Sequence, residues 1–175
     1  MVKNLIFLII PVILSNFSAH SQTITLATFL NNSDYKEENI EKKITLRIKQ
    51  ELENRGYRIV ALCDREGFKK GLEDKGIWIS AEIKEFYLGT TLFSFGPFRY
   101  RTGNAKTEIN LQIIKNGKLL EEPVEVKEQE DKTNFILFSE EEIEKREEEK
   151  FDNSIKEKFL KEITEEIISK LLQKM

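Results

Sequence analysis

The feature that most constrains the fold is an apolar stripe near the C-terminus whose members recur four residues apart. A four-residue step keeps side chains on one side of an α-helix, and such a side must be buried. The partner could be a sheet of the same chain or the same helix in a coiled-coil dimer. A step of four suits a sheet better than a strict heptad does, so we predict a C-terminal helix packed on a sheet. The stripe consists of Ile155, Phe159, Ile163, Ile167 and Leu171, widened by Leu160, Ile168 and Leu172.

A second segment, residues 40–55, carries the same step through Ile40, Ile44, Ile48 and Leu52, and Gly56 ends it. Glycine accepts the left-handed conformation that commonly follows a helix, so we predict a helix over these residues.

Two shorter helical segments are predicted on weaker patterns. Residues 140–150 are nearly all Glu and Lys, which predicts a solvated helix capped by Ser139 and Glu142, with a second helix start at residues 152–154. Residues 64–76 predict a short helical turn capped by Asp64.

Alternation of apolar and polar residues predicts strands at 23–31, 57–63, 77–89, 106–115 and 124–129. Asn116-Gly117 predicts a hairpin turn because both residues tolerate positive φ. Pro123 cannot donate to a ladder, which favours a strand start or an edge. Trp78 and Phe86 are expected on the sheet face away from the helices.

These patterns predict an α+β fold. We expect one four- to five-stranded mixed or antiparallel sheet with two main helices packed on one face. Residues 22–175 would form a single domain.

The N-terminus has the composition of a secretory signal peptide, predicted over residues 1–21. Lys3 precedes an apolar run from Leu5 to Leu14, and the small residues Ala19 and Ser21 have cleavage-site spacing. The run is short for a bilayer span, and Pro11 disfavours the alternative of a buried helix. No cysteine follows the run, so no lipid-anchor acceptor is expected. We predict an exported protein.

Composition excludes several functional classes. Without Lys3 the chain has 27 basic and 31 acidic residues, and a net charge near −4 disfavours nucleic acid as a partner. The one histidine, His20, lies in the signal peptide, and Cys63 is the one cysteine. No thiol–imidazole pair or usual zinc set is then possible, so we expect no cofactor, no metal and no enzymatic activity. Chemistry by carboxylates alone is the remaining enzymatic alternative.

Residues 92–105 are predicted to be an aromatic, cationic loop between two strands. Three interpretations compete: the rings fold back onto the domain, they contact a partner or lipid, or they stack on nucleic acid. Aromatic rings beside arginines suit a protein groove or a phosphate-bearing lipid. The candidate contact residues are Phe93, Phe95, Phe98, Arg99, Tyr100, Arg101 and Lys106.

The order of these segments resembles the LPS-assembly lipoprotein family (LptE). In that family a short strand leads to a helix, an Arg-Gly turn, a strand pair with an extended loop, and a leucine-rich last helix. The similar stretches here are Phe29 to Asn32, Arg55 to Gly56, Gly76 to Ile83 and residues 139–172. Small exported lipoproteins of the YajG type share the opening strand–helix pattern.

The resemblance implies a subunit without an active site. It would sit inside the outer-membrane barrel that delivers lipopolysaccharide and help to assemble it. The expected partners are therefore an outer-membrane barrel protein and lipopolysaccharide. The family usually carries a lipobox cysteine, which this chain lacks, so anchoring would come through the barrel. The alternative is a periplasmic protein-interaction domain unrelated to lipopolysaccharide.

Overall fold

The computed structural model of the chain describes residues 23–35, 39–135 and 141–175. Within these ranges, the side chains at 61–63, 134–135, 141–144 and 147 are not described by the structure. The predicted signal peptide and the Ser139–Glu142 cap lie outside this description.

The described chain contains six strands and three α-helices. In chain order they are β1 Thr23–Ala27, β2 Leu30–Asn31, α1 Ile40–Asn54, β3 Arg58–Cys63, α2 Arg65–Lys69 with a 3₁₀ turn at Lys70–Glu73, β4 Ile77–Phe95, β5 Phe98–Lys115, β6 Lys118–Phe135 and α3 Glu141–Lys174.

The strands form one mixed sheet in the order β3-β1-β4-β5-β6, with β2 also paired to β4. β1 pairs in parallel with β3 and β4, whereas β4, β5 and β6 are antiparallel neighbours. The α+β class and the mixed sheet are confirmed. The count of four to five strands is wrong, and the described chain has three α-helices where two main helices were predicted. Pro123 lies within β6, an edge strand, where its missing N–H leaves no ladder bond unmade.

The extra strand arises because the predicted strand 23–31 is interrupted at residues 28–29. The backbone N–H of Phe29 donates to the Thr45 hydroxyl on α1 (3.1 Å) instead of to a neighbouring strand. The Phe29 ring is buried in the core. A tertiary hydrogen bond has thus replaced a ladder bond, which strand periodicity does not reveal.

The main core lies between the sheet and helices α1 and α3, and we name this side of the sheet the helix face. The four apolar positions of α1 and the five-member stripe of α3 are fully buried there. They pack on alternate residues of the central strands, among them Ile79 and Ile83 of β4 and Ile109 and Leu111 of β5. The prediction that the stripe packs on a sheet is confirmed.

Helix α3 is continuous, so the predicted second start at 152–154 is wrong. Phe151 and Ile155 are both buried on the same stripe, and this burial holds the intervening residues helical. One consequence is local: the Asp152 Oδ1 atom is buried without a hydrogen-bond partner in the described structure. The burial of Phe151 and Ile155 therefore outweighs the tendency of residues 152–154 to start a new helix.

The opposite side of the sheet, named the open face, is covered at one end only. There α2 and the 3₁₀ turn place Phe68 against Ala27 and Ile114, with Trp78 beside them. The predicted turn is confirmed, and the Asp64 side chain caps it by accepting from the Gly67 N–H (2.7 Å).

Phe86 lies on the helix face, contrary to prediction. A β-bulge between Ile83 and Glu85 shifts the alternation of β4 by one residue. The Phe86 ring therefore packs on Phe159 of α3 (centroids 5.4 Å apart) and on Tyr35 (4.7 Å). Trp78, which precedes the bulge, is on the open face as predicted.

None of the helices in the described part of the chain is both long and apolar enough to cross a membrane.

Gly103 provides a direct test of how closely α3 packs. A Cβ at this position would lie 1.8 Å from Ile155 Cδ1, a fully buried atom. We expect Gly103→Ala to lower the free energy of unfolding by about 1–3 kcal/mol, the usual effect of overpacking. Ile155→Val, which removes Cδ1, should cost about 0.5–1.5 kcal/mol by itself.

In the double variant the two losses should be less than additive, because the clashing atom is absent. Urea unfolding of all three variants measures this. Gly89→Ala is the matched control, since its Cβ would meet only the exposed, movable Tyr87 side chain. Strict additivity would contradict the close packing of α3 on β5.

Candidate interaction surface

The segment 92–105 is not a loop. β4 runs to Phe95 and β5 starts at Phe98, so Gly96-Pro97 is a two-residue turn between paired strands. β6 continues this ladder to Phe135, opposite Phe98. The aromatic and β-branched residues here are strand formers, and a third strand supports the hairpin. Gly96 has φ 56°, which a type II′ turn requires at its first central position.

Because successive side chains of a strand point to opposite faces, the rings and the arginines of this segment are separated. Gly103 contacts α3, which places Arg101 and Arg99 on the helix face. Their neighbours on the open face are Phe98 and Tyr100. The sequence therefore interleaves two surfaces, one aromatic and one cationic, that do not coincide in the fold.

The four rings share the open face at the end of the hairpin, and we name them the aromatic tip. The cross-strand pairs are Phe95 with Phe98 and Phe93 with Tyr100, the latter with ring centroids 6.2 Å apart. Phe95 is 85% exposed, Phe93 58% and Phe98 49%. Contrary to the fold-back interpretation, the rings remain accessible over the described part of the chain.

Tyr100 is fixed by the edge strand. Its hydroxyl donates to the Asp131 carboxylate, and this hydrogen bond raises the pKa of Tyr100. The pKa of Asp131 is lowered in turn, first by the hydrogen bond from Thr102 and then by that from Tyr100. The hydrogen bond fixes the position of the Tyr100 side chain, which is still 36% exposed.

Asp131 was missed by sequence reasoning, because the last strand was expected to stop at residue 129. Residues 130–134 are all polar, so no alternation of apolar and polar residues marks the continuation of the strand to Phe135. The register then places Asp131 opposite Thr102 and one step from Tyr100.

The candidate cations lie apart from the tip. Arg101 is only 8% exposed and lies on the helix face, two residues from Gly103, which packs against Ile155 of α3. Arg99, half-buried, donates a hydrogen bond to the Ser94 hydroxyl. Lys106 shares the open face, but it is eight residues from Phe98, or about 26 Å along the strand. Its ammonium is paired with Glu85 (2.6 Å), and that hydrogen bond raises the pKa of Lys106.

One cluster of titratable groups joins α3 to β6. Lys158 is paired with Glu128, whose side chain is 11% exposed, and the hydrogen bond lowers the pKa of Glu128. Glu162 approaches the same carboxylate; burial, and next the hydrogen bond with Glu128, raise its pKa. No group of three or more His, Cys, Asp or Glu suited to a metal ion occurs among the residues described.

Comparisons with solved structures give distant similarities. A minor lipoprotein from Acinetobacter baumannii is similar at 12% identity and a TM-score of 0.49, over 86% of this chain and 92% of that one. The hypothetical protein CT253 from Chlamydia trachomatis has 10% identity and a TM-score of 0.47, over 86% and 95%. Lipoprotein GNA1162 from Neisseria meningitidis has 14% identity and a TM-score of 0.32, over 78% and 99%.

No protein-family model matches the sequence, and no curated protein matches it significantly. Two of the three similar structures are lipoproteins by name, but similarity at this level assigns no function to this chain. The resemblance to the LptE family therefore belongs to the proposal below.

The placement of the tip predicts that Phe95 and Arg101 respond differently to substitution by serine. Phe95→Ser should change the free energy of unfolding by less than about 0.5 kcal/mol, because its ring is exposed. Arg101→Ser should lower it by about 1–3 kcal/mol, since Arg101 is buried and its interactions would be lost. Thermal unfolding of both variants measures the difference. Equal losses would mean that the tip rings are part of the core.

The Glu128–Glu162 pair predicts a pH-dependent stability. The folded-state pKa of Glu162 lies above its unfolded value, so its charge destabilises the fold above that pKa and the penalty vanishes as the pH falls through it. Glu162→Gln should raise the Tm at pH 7 by about 2 °C or less, with no gain near pH 4. Glu165→Gln, at an exposed position of the same helix, is the control. A lower Tm of Glu162→Gln at pH 7 would contradict the raised pKa.

Proposed function

We propose that the protein is an exported, non-enzymatic subunit of an outer-membrane assembly, and that the aromatic tip inserts into a β-barrel partner. The observation that carries the proposal is the exposure of three phenylalanines and a tyrosine at the end of a three-stranded extension. Aromatic residues of this kind are the usual anchors of protein interfaces, because they offer large contact area at low entropic cost.

The shape of the extension also supports an insertion role. From Ala105 to Phe98, β5 extends about 23 Å, and its ladders to β4 and β6 are complete up to the turn. Because β5 is paired on both sides, the extension is already ordered before it binds. Binding therefore costs little conformational entropy.

The segment order similar to the LptE family gives the proposal its specific form. The partner would be the barrel that exports lipopolysaccharide, and the tip would enter its lumen. Lipopolysaccharide itself is a second ligand in this proposal: its acyl chains would contact the aromatic tip, while Arg99, on the opposite face of β5, would pair with a phosphate group.

Affinity purification from the envelope of the protein's own host tests the proposal. The tagged full-length chain should recover a large outer-membrane barrel at close to one copy each. The triple variant Phe93→Ser, Phe95→Ser, Phe98→Ser should lose the barrel while keeping the wild-type Tm, because these rings are exposed.

A matched control removes as many exposed apolar side chains elsewhere: Leu46→Ser, Val60→Ser, Leu172→Ser, at 50%, 56% and 38% exposure. Loss of the barrel in this control as well would show that the tip is not the contact. Recovery of the protein alone, or with a soluble periplasmic protein, would overturn the outer-membrane assignment and favour a general interaction domain.

A further inference from the structure

A second surface with different chemistry lies at the base of the open face. A groove of about 270 Å³ opens between α2, the 3₁₀ turn and the β5–β6 hairpin. It is separated from the aromatic tip by about 50 Å of strand. The groove is lined by Arg65, Phe68, Lys69, Leu72, Gln112, Ile114 and Leu119.

The floor and sides of the groove are apolar. Phe68 and Ile114 form a buried floor, at 5% and 1% exposure. Leu72 and Leu119 stand at the sides and keep 48% and 46% of their surface in solvent. Covering these two side chains would remove apolar area from water at about 25 cal/mol per Å².

The walls are held in place by tight packing, so the groove is preformed. A Cβ on Gly71 would lie 2.5 Å from the Trp78 ring, and one on Gly117 would lie 2.8 Å from the Leu72 carbonyl oxygen. The Asp74 carboxylate accepts from Trp78 Nε1 at 3.0 Å. These contacts fix the 3₁₀ turn on β4 and on the β5–β6 turn, and a preformed site binds without an ordering cost.

The rim of the groove carries two cations that make no direct ion pair with any described residue. Arg65 and Lys69 are four residues apart on α2, and neither has an ion-pair partner within the described ranges. The described lining contains no carboxylate. Of the nearby acids, Asp64 caps α2, Asp74 accepts from Trp78, and the Glu121 carboxylate accepts from the Gln112 amide at 2.7 Å. Glu66 and Glu73, on α2 and the 3₁₀ turn, are exposed and lie outside the groove lining.

We propose that this groove binds the chain of a single-chain amphiphile whose anionic headgroup pairs with Arg65 and Lys69. The volume holds about nine groups the size of a water or a methylene, which corresponds to a tail of medium length. Apolar walls exclude a fully polar ligand, and the two cations select against a neutral headgroup. The site does not depend on the function proposed for the aromatic tip.

Trp78 is the single tryptophan of the chain and packs against the floor residues, so its fluorescence reports occupation of the groove. Decanoate and decyl phosphate, both below their micellar concentrations, should change its emission saturably. Decan-1-ol should bind at least tenfold more weakly. Comparison of the two anions shows whether the site prefers a carboxylate or a phosphate headgroup. Tighter binding of either anion than of decan-1-ol supports the site.

Two variants distinguish the contribution of the headgroup to binding from that of the alkyl chain. Arg65→Gln with Lys69→Gln should weaken decanoate about tenfold and leave decan-1-ol unchanged. Leu119→Gln should weaken both. The matched controls are Lys42→Gln with Lys84→Gln, and Leu120→Gln on the other face of β6; none of these should alter binding. The proposal is overturned if no probe binds, if decan-1-ol binds as tightly as decanoate, or if the controls weaken binding equally.

Discussion

The burial of the α3 stripe on the helix face is the interaction on which the rest of the structure depends. It provides the largest apolar side of any helix in the described chain, and it aligns α3 with the long antiparallel strands. Close contact at Gly103 lets the helix approach β5, and the Phe86–Phe159 ring pair fixes its position beside β4. Ion pairs at the border, such as Lys174 with Glu122 (2.5 Å), add register more than stability.

The stripe also explains why the hairpin can be so long. A three-stranded ribbon that extends beyond its core would gain little from burial of its side chains. Here α3 follows the ribbon past Gly103, and Arg101 is buried on that side. The cover is partial, since Leu92, which pairs with Arg101 on the same face, is 45% exposed.

Most of the fold could be predicted from periodicity because both helices and the central strands carry uninterrupted patterns. What could not be predicted depends on single events that leave no periodic trace. The bulge before Phe86 reversed its face, the hydrogen bond from Phe29 split the first strand, and the burial of Phe151 kept α3 continuous. The candidate site at residues 92–105 was identified from its aromatic and cationic composition. Because these residues were predicted to form a loop, the alternation of side chains along a strand, which places the arginines and the rings on opposite faces, was not expected.

The two ends of the open face differ in chemistry: one carries the exposed rings of the aromatic tip, the other the cations of the groove. Neither feature is explained by a contribution to the stability of the fold. Burying one phenylalanine side chain is worth about 1.5–3 kcal/mol, yet the tip leaves three of them in water. At the base, Arg65 and Lys69 make no ion pair within the described structure, although other Arg and Lys side chains pair with Glu elsewhere on the surface. A chain selected only for folding would gain from polar residues at the tip and from carboxylates at the groove. The exposed rings of the tip and the cations Arg65 and Lys69 are the features that each proposed contact would use.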